Sequence, residues 1–216
     1  MDLYARLDAF DRGYSTEGAK ILAGVDEAGR GALAGPVVAA AVILPRDSGL
    51  VGVNDSKRVS ESQREALFPE IVKTALAVGI GIGNPRLIDS RNILNATLTA
   101  MARAIGCLRI TPSIVLVDGR DRVECEVPVI PVIGGDRRSL SIAAASIVAK
   151  VRRDALMRRL HDDWPAYRFD VNKGYGTPDH LEALRAHGAS PLHRLTFRGV
   201  LPVAQPALPG LDAGVR

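Results

Sequence analysis

The sequence of 216 residues predicts an α/β domain with a mixed central sheet. Short apolar runs, bounded by Gly, Pro or Asp and typical of buried strands, recur along the chain. Longer segments with helical spacing of apolar residues separate most of these runs. The first two runs, however, are joined only by a glycine-rich turn, which favours a hairpin. Alternation of strands and helices together with one hairpin indicates parallel and antiparallel pairs in one sheet.

The N-terminal half supplies three of the predicted strands. The run 21–25 ends at Asp26-Glu27, and the run 37–44 lies between two prolines. Gly29, Gly31 and Gly35 supply the turn between these two runs. The third strand is a short glycine-rich segment at 78–82.

Two helices are predicted in the same half. One covers 60–77 and begins with the capping-box pattern Ser60-x-x-Gln63. The other covers 85–108 and places Ile88, Leu98 and Ile105 at helix-like spacings. These helices flank the glycine-rich strand and complete the alternation.

The C-terminal half repeats the alternation. Strands are predicted over 114–117 and 127–133, a helix over 139–161, and a further helix that begins at Thr177-Pro178. Residues 201–216 are rich in proline and small residues, and we expect a disordered or loosely attached tail. The chain is therefore expected to form one domain over 1–200, with a small helical portion at about 177–200.

Composition excludes several classes of protein. No stretch approaches the ~20 apolar residues of a membrane helix, and the N-terminus lacks the apolar core of a secretory signal. The two cysteines form neither a disulfide framework nor a C-x-x-C metal pair, so two reduced thiols in a cytoplasmic protein are expected. A net charge of +4 favours a polyanionic partner, although only weakly.

Carboxylates stand where predicted strands and helices begin or end. Asp26 and Glu27 follow the first strand, Asp118 follows a later strand, and Asp136 precedes a helix. Taken singly, each is also typical of an ordinary turn, a helix cap or a solvated strand end. Brought together, four carboxylates repel one another unless divalent cations lie between them, and oxygen ligands suit Mg²⁺ or Mn²⁺. Two such ions can support phosphodiester hydrolysis.

The segment 29–35 has a second interpretation. Its G-x-G-x-x-x-G pattern after a strand superficially resembles a dinucleotide-binding turn, which would make the protein a nicotinamide-dependent oxidoreductase. A helix should follow such a turn, whereas Pro36 and a strand-like run follow here. The dinucleotide interpretation is therefore the weaker one.

Three further features are open between structural and functional roles. The basic residues of the helix 139–161 are either a solvated face or a phosphate-binding face, as in a non-catalytic nucleic-acid module; they are Lys150, Arg152, Arg153, Arg158 and Arg159. The four histidines lack zinc-type spacing, which favours surface or structural roles. Tyr175 lies between two glycines, where stacking on a base or sugar competes with ordinary packing.

Taken together, the motifs closely resemble the ribonuclease HII family. The resemblance begins with Gly24-Val25-Asp26-Glu27-Ala28-Gly29-Arg30-Gly31 and Leu33-Ala34-Gly35-Pro36-Val37. It continues in order with Asp55-Ser56-Lys57, Val117-Asp118-Gly119, Gly135-Asp136, the run 141–151 with Arg153-Asp154, Gly174-Tyr175-Gly176-Thr177 and Ser190-Pro191-Leu192-His193-Arg194. It spans about 22–197, and the combination is specific where any single motif is not.

The resemblance implies a ribonuclease H-like fold, with helices flanking the mixed sheet, and a metal-dependent endoribonuclease. The implied activity is cleavage of the RNA strand of RNA–DNA hybrids, and cleavage 5′ of ribonucleotides embedded in duplex DNA, as ribonucleotide excision requires. The implied chemistry uses two Mg²⁺ or Mn²⁺ ions and leaves 5′-phosphate and 3′-hydroxyl ends. The protein is expected to bind nucleic acid, to act as a monomer and to have no membrane partner.

The resemblance also assigns residues. The catalytic and metal-binding carboxylates are Asp26, Glu27, Asp118 and Asp136, and the substrate-binding residues are Gly29, Arg30, Gly31, Lys57 and Tyr175. Tyr175 is expected to pack on the sugar at the RNA–DNA junction. Three positions depart from the family pattern: Gly134 replaces a usual lysine, Ala32 a common proline and Leu195 a frequent arginine. None is a carboxylate, so the departures concern substrate contacts and not the reaction.

Overall fold

A computed structural model of the protein describes residues 2–14 and 21–200, and within them one five-stranded mixed sheet. The strands are β1 (Leu22–Ala28), β2 (Val37–Ile43), β3 (Ala77–Gly83), β4 (Ile114–Asp118) and β5 (Val129–Val132). Their order across the sheet is β3-β2-β1-β4-β5. The neighbours β1 and β2 are antiparallel, as are β2 and β3, whereas β4 runs parallel to both β1 and β5. The predicted mixed sheet and its first hairpin are confirmed.

Helices cover both faces of this sheet. They are α1 (Leu3–Tyr14), α2 (Glu61–Thr74), α3 (Pro85–Gly106), α4 (Leu140–Asp163), α5 (Phe169–Asn172) and α6 (Pro178–His187). The capping box of Ser60 and Gln63 forms as predicted, and Thr177 caps α6. Helices α1 and α5 were not predicted. Helix α3 is interrupted at Asn92, whose φ is 64° and whose side chain caps the second part by accepting from the backbone N–H of Asn95.

The core has two main layers because β2 is buried on both faces. Val37, Ala39 and Ala41 face α3, whereas Ala40 and Val42 face α4. This two-sided burial explains why the run has no polar alternation in the sequence. A smaller cluster joins the C-terminal part of α4 to α5, α6 and the segment that follows β1.

Three expectations from the composition and the tail can be compared with the structure. Within residues 2–14 and 21–200, no helix is both long and apolar enough to cross a membrane. The predicted tail, 201–216, lies outside the described residues. Cys107 and Cys125 are both exposed and unpaired with each other.

Strand β3 approaches α3 unusually closely because it carries glycines. A Cβ atom on Gly81 would lie 1.9 Å from the carbonyl oxygen of Ala100, and one on Gly79 would lie 2.0 Å from that of Ala104. Both clashes are with backbone, which cannot rotate away as a side chain can. The glycines therefore set the distance between the helix and the sheet.

We expect Gly81→Ala to lower the free energy of unfolding by about 1–3 kcal/mol, because α3 must move away from the sheet. Gly106→Ala in the last turn of the same helix is the control, since a Cβ there meets no atom within 4 Å. The control should be about as stable as the parent or up to about 1 kcal/mol more stable. Urea unfolding measures both; equal stability of the two variants would contradict the close packing.

Candidate active site

The carboxylates of Asp26 and Asp118 lie side by side at one edge of the sheet. Parallel pairing of β1 with β4 aligns Val25 with Val117, so the next residue on each strand is an aspartate. Neighbouring strands are about 4.8 Å apart, and aligned residues point to the same face. The two side chains therefore share one face at the carboxyl ends of adjacent strands, where α/β sheets commonly form their sites.

The turn after β5 brings Asp136 to the same edge. Asp118 pairs with Val132 of β5, and its Oδ1 accepts a hydrogen bond of 2.6 Å from the backbone N–H of Gly135. The short 3₁₀ turn Gly135–Arg137 follows and carries the buried Asp136. Asp118 thus orients the turn that holds the next carboxylate.

The carboxylates of this edge shift one another's pKa values. Burial, and then the charges of Glu27 and Asp118, raises the pKa of Asp26 well above its ordinary value. Burial and Asp118 also raise the pKa of Glu27, although Arg30 opposes this at 3.4 Å. Burial, Asp118 and Asp55 raise the pKa of Asp136 to about 6. Carboxylates that repel one another in this way would be stabilised by a cation bound between them.

The donor set fits a hard divalent cation, although the side chains do not already form a closed cage. In the part of the chain that the structure describes, no three carboxylate, histidine or thiol groups stand close enough to enclose an ion. The charges of these carboxylates nevertheless act on one another, and strand register fixes side by side the backbones that carry Asp26 and Asp118.

The loop before α2 forms one wall of the cluster. Asp55 is buried and contributes to the raised pKa of Asp136, whereas Lys57 lowers that pKa and is exposed. Ser146 of α4 hydrogen-bonds to the carboxylate of Asp26, and its Oγ lies 2.8 Å from Oγ of Ser56. The predicted substrate residue Lys57 therefore lies beside the carboxylates and faces solvent. Asp55 and Ser146 were not predicted.

Two fully buried arginines hold the glycine segment 29–36 through backbone carbonyls. Arg153 donates to the carbonyls of Ala34, Pro36 and Lys173 over 2.9–3.2 Å. Arg194 donates over 2.8–3.0 Å to the carbonyls of Gly29, Arg30 and Gly35. We name these two residues the arginine pair.

Gly29 is required where the segment passes the arginine pair. Its φ is +95°, and a Cβ there would lie 1.9 Å from Nε of Arg153. Gly29 is consequently buried, whereas Arg30 and Gly31 are exposed. Of the three predicted substrate residues in this segment, the last two face solvent.

The structure corrects the hypothesis that the whole basic run of α4 contacts phosphates. Arg153 has no exposed surface, so it cannot reach a phosphate. Lys150 pairs with Asp154 at 2.8 Å, and Arg158 donates to Glu61 and Glu65 of α2 at 3.0 Å. Arg152 and Arg159 are exposed. Both interpretations left open by the sequence, a solvated face and a phosphate-binding face, are wrong for Arg153, because a residue four positions after Ala149 and four before Met157 lies on the apolar face of the helix.

Tyr175 lies over cations in the middle of α4. The residue is 36% exposed, and its ring centroid lies 5.6 Å from Nζ of Lys150 and 5.3 Å from Cζ of Arg153. The preceding residue, Gly174, accepts from the backbone N–H groups of Leu33 and Ala34. Tyr175 is therefore connected to the glycine segment both through Arg153 and through the backbone.

Two buried histidines fix the backbone of Tyr175. The N–H of Ser190 donates to Nδ1 of His193, so the neutral ring carries its proton on Nε2 and donates to Nε2 of His180 at 3.0 Å. His180 then donates from Nδ1 to the carbonyl of Tyr175 at 2.9 Å. Burial lowers the pKa of both rings, that of His193 to about 4. The structural role predicted for histidines is confirmed for this pair.

Comparison with known proteins identifies the family. The family model for ribonuclease HII matches residues 23–200. This chain is a member of the ribonuclease HII family. It is 52% identical over 191 residues to the ribonuclease HII of Geotalea daltonii, covering 88% of each chain. It is 49% identical over 200 residues to that of Geobacillus kaustophilus, covering 93% of this chain and 76% of the relative.

Solved structures agree with the fold. The ribonuclease H2 of Pyrococcus horikoshii superposes with a TM-score of 0.71 at 27% identity, over 83% of this chain and 94% of that one. The RNase HII of Archaeoglobus fulgidus, solved in a complex with PCNA, gives 0.69 at 30% identity, over 87% and 98%. The ribonuclease H-like fold implied by the sequence is confirmed.

Membership makes the protein a ribonuclease H endonuclease, a hydrolase from a family that acts on nucleic acid and depends on divalent metal. The dinucleotide interpretation of the glycine segment is wrong, because β2 follows the segment where a helix would be required. The interpretation as a non-catalytic nucleic-acid-binding module is wrong because the chain belongs to a family of nucleases.

Proposed function

We propose that the protein hydrolyses the RNA strand of RNA–DNA hybrids and cuts on the 5′ side of ribonucleotides embedded in duplex DNA. The observation that carries this proposal is the group of mutually repelling carboxylates around Asp26 and Asp118, which lie side by side on the paired strands β1 and β4. Asp26, Glu27, Asp118 and Asp136 would hold two Mg²⁺ or Mn²⁺ ions. When bound, such ions activate a water and stabilise the leaving oxygen, which gives 5′-phosphate and 3′-hydroxyl ends.

The protein's own groups orient the substrate in this proposal. Arg30 and Gly31 are exposed beside Glu27, and Arg194 of the arginine pair holds the backbone carbonyls of Gly29 and Arg30. Only a 2′-hydroxyl distinguishes a ribonucleotide from a deoxynucleotide, and backbone N–H and C=O groups free of side chains can approach it closely. Lys57 supplies a cation to a neighbouring phosphate, and the ring of Tyr175 packs against the sugar at the RNA–DNA junction.

The proposal extends to the organisation of the chain. Residues 1–200 form one catalytic domain, of which about 177–200 are the C-terminal helical portion. The chain acts as a monomer in the cytoplasm. The expected disorder of 201–216 concerns residues outside the described part.

We expect Asp118→Asn to lower the rate of hybrid cleavage by more than about 100-fold in saturating Mg²⁺, because one ligand charge is lost. The fold should persist, since the amide oxygen still accepts from Gly135. The melting temperature in chelator should be equal to or above that of the parent, because repulsion is relieved. Asp163→Asn, at the end of α4, is the matched control. Cleavage within tenfold of the parent would remove Asp118 from the site.

Substitutions of Tyr175 separate recognition from chemistry. Tyr175→Ala should lower cleavage at a single ribonucleotide in duplex DNA by about tenfold more than cleavage within a continuous hybrid, since a base or sugar contact with an aromatic ring contributes about 1–3 kcal/mol. Tyr175→Phe keeps the ring and should keep the parent's ratio of the two rates. The ratio is measured at one Mg²⁺ concentration; an equal fall of both rates in Tyr175→Ala would show general support of the site instead.

A further inference from the structure

A basic groove lies next to the candidate active site and has no role in the function described so far. Its volume is about 460 Å³, and it lies between α1, the end of β5 and the loop before α2. It is lined by Arg6, Phe10, Arg58, Ile133, Gly134, Arg137 and Arg138. No acidic residue is among these described lining residues. We name it the arginine groove.

The positive charges of the arginine groove are accessible to solvent. All four arginines are exposed. Arg138 lies over the ring of Phe10, with 4.8 Å between its Cζ atom and the ring centroid, which fixes its direction. Ile133 is 64% exposed beside them. Nε of Arg137 lies 3.8 Å from Oδ1 of Asp136, and the other three arginines form no ion pair among the described residues. Four guanidinium groups around Phe10 and Ile133 make a surface that suits a polyanion.

Gly134 makes room for one of these cations. A Cβ at this position would lie 2.9 Å from Nη2 of Arg137, so the guanidinium occupies the space of a side chain at 134. Arg137 therefore places its positive charge directly over residue 134.

Helix α1 forms a fixed wall of the groove. Leu7 is fully buried in the core. Asp11 accepts from the backbone N–H of Ser141 at 2.8 Å, and Tyr4 Oη accepts from that of Gly49 at 3.0 Å. The helix is thus held by three independent contacts, and Arg6 is presented from a rigid element.

The position of the groove along α4 indicates what it binds. Arg137 and Arg138 precede the N-cap Ser139, Ser146 contacts Asp26, and Arg153 lies under Tyr175. With a rise of 1.5 Å per residue, the two seven-residue intervals each measure about 10 Å. The arginine groove and Tyr175 therefore flank the carboxylates on opposite sides.

We propose that the arginine groove binds the phosphodiester backbone of the duplex arm that leaves the active site on the side away from Tyr175. Guanidinium groups bind phosphate oxygens in a bidentate manner, and the apolar floor suits the faces of the sugars. A nucleic acid fits better than an acidic protein because the groove borders a site that already takes a nucleic acid. The proposal rests on the carboxylate site of the proposed function.

The test uses duplex DNA with one ribonucleotide, in which three phosphates about 3–6 base pairs from the cut are replaced by neutral methylphosphonates. Each arm is modified in turn. Affinity is measured by fluorescence anisotropy in chelator at fixed salt, so that binding does not depend on cleavage. For the parent, methylphosphonates in the arm on the side away from Tyr175 should weaken binding by about tenfold.

The double variant Arg6→Gln with Arg138→Gln should weaken binding of the unmodified duplex by about the same factor. The affinity of this double variant should fall little further when the methylphosphonates are in the arm on the side away from Tyr175, because the variant no longer contacts those phosphates. The control is Lys73→Gln with Arg109→Gln, which removes two exposed charges, one in the last turn of α2 and one in the segment between α3 and β4 that contacts Leu76. The control should respond to the modified arm as the parent does.

Two outcomes would overturn the proposal. One is a parent that binds both modified duplexes as well as the unmodified one. The other is a double variant that is weakened further by the modified arm to the same degree as the parent. Failure of the proposed function is seen separately, as absence of cleavage of the unmodified duplex by the parent once Mg²⁺ is added.

Discussion

The hydrogen bonds between the arginine pair and the carbonyls of 29–36 are the interaction on which the site depends. Two buried guanidinium groups near each other are costly: burial and the charge of Arg153 lower the pKa of Arg194 to about 9. The cost is offset because each donates three hydrogen bonds to carbonyl oxygens, and hydrogen bonds to charged groups contribute about 1.5–3 kcal/mol each. Removal of either arginine would leave buried carbonyls without partners, so the pair specifies one conformation of the segment.

This segment joins two systems with separate supports. The carboxylates depend on strand register and on the hydrogen bond between Asp118 and Gly135, which belong to the sheet. Tyr175 depends on Arg153 and on the histidine pair, which belong to the C-terminal helices and their loops. Both systems meet at the glycine segment, because Arg153 and Gly174 hydrogen-bond to its backbone next to the strand that carries Asp26. Helix α4 crosses both systems and fixes their separation.

Much of this could be predicted from the sequence, and the failures have physical reasons. Strands were recognised because runs such as 37–44 are apolar without alternation, and the hairpin because glycines and not a helix join the first two. Asp26 and Asp118 were identified because each follows an apolar run. Asp118 does end β4, whereas β1 continues to Ala28, so the expectation that Asp26 and Glu27 follow the first strand was wrong by three residues. Arg153 was misassigned because a basic run suggests a solvated face, whereas helical periodicity places this residue on the buried face. Contacts between distant segments, such as those of Arg194 with Gly29, left no local signal.

Amide hydrogen exchange in Arg194→Lys tests most directly whether the arginine pair holds the segment. Lysine keeps the charge but cannot reach three carbonyls with a planar fork. The N–H of Leu33 donates to Gly174 and that of Gly35 to Leu192, so both report on the segment. We expect exchange at these two amides to accelerate at least about tenfold, while the amides of β2 keep the parent's rates. Parent-like exchange at Leu33 and Gly35, in a variant with intact β2, would contradict the account.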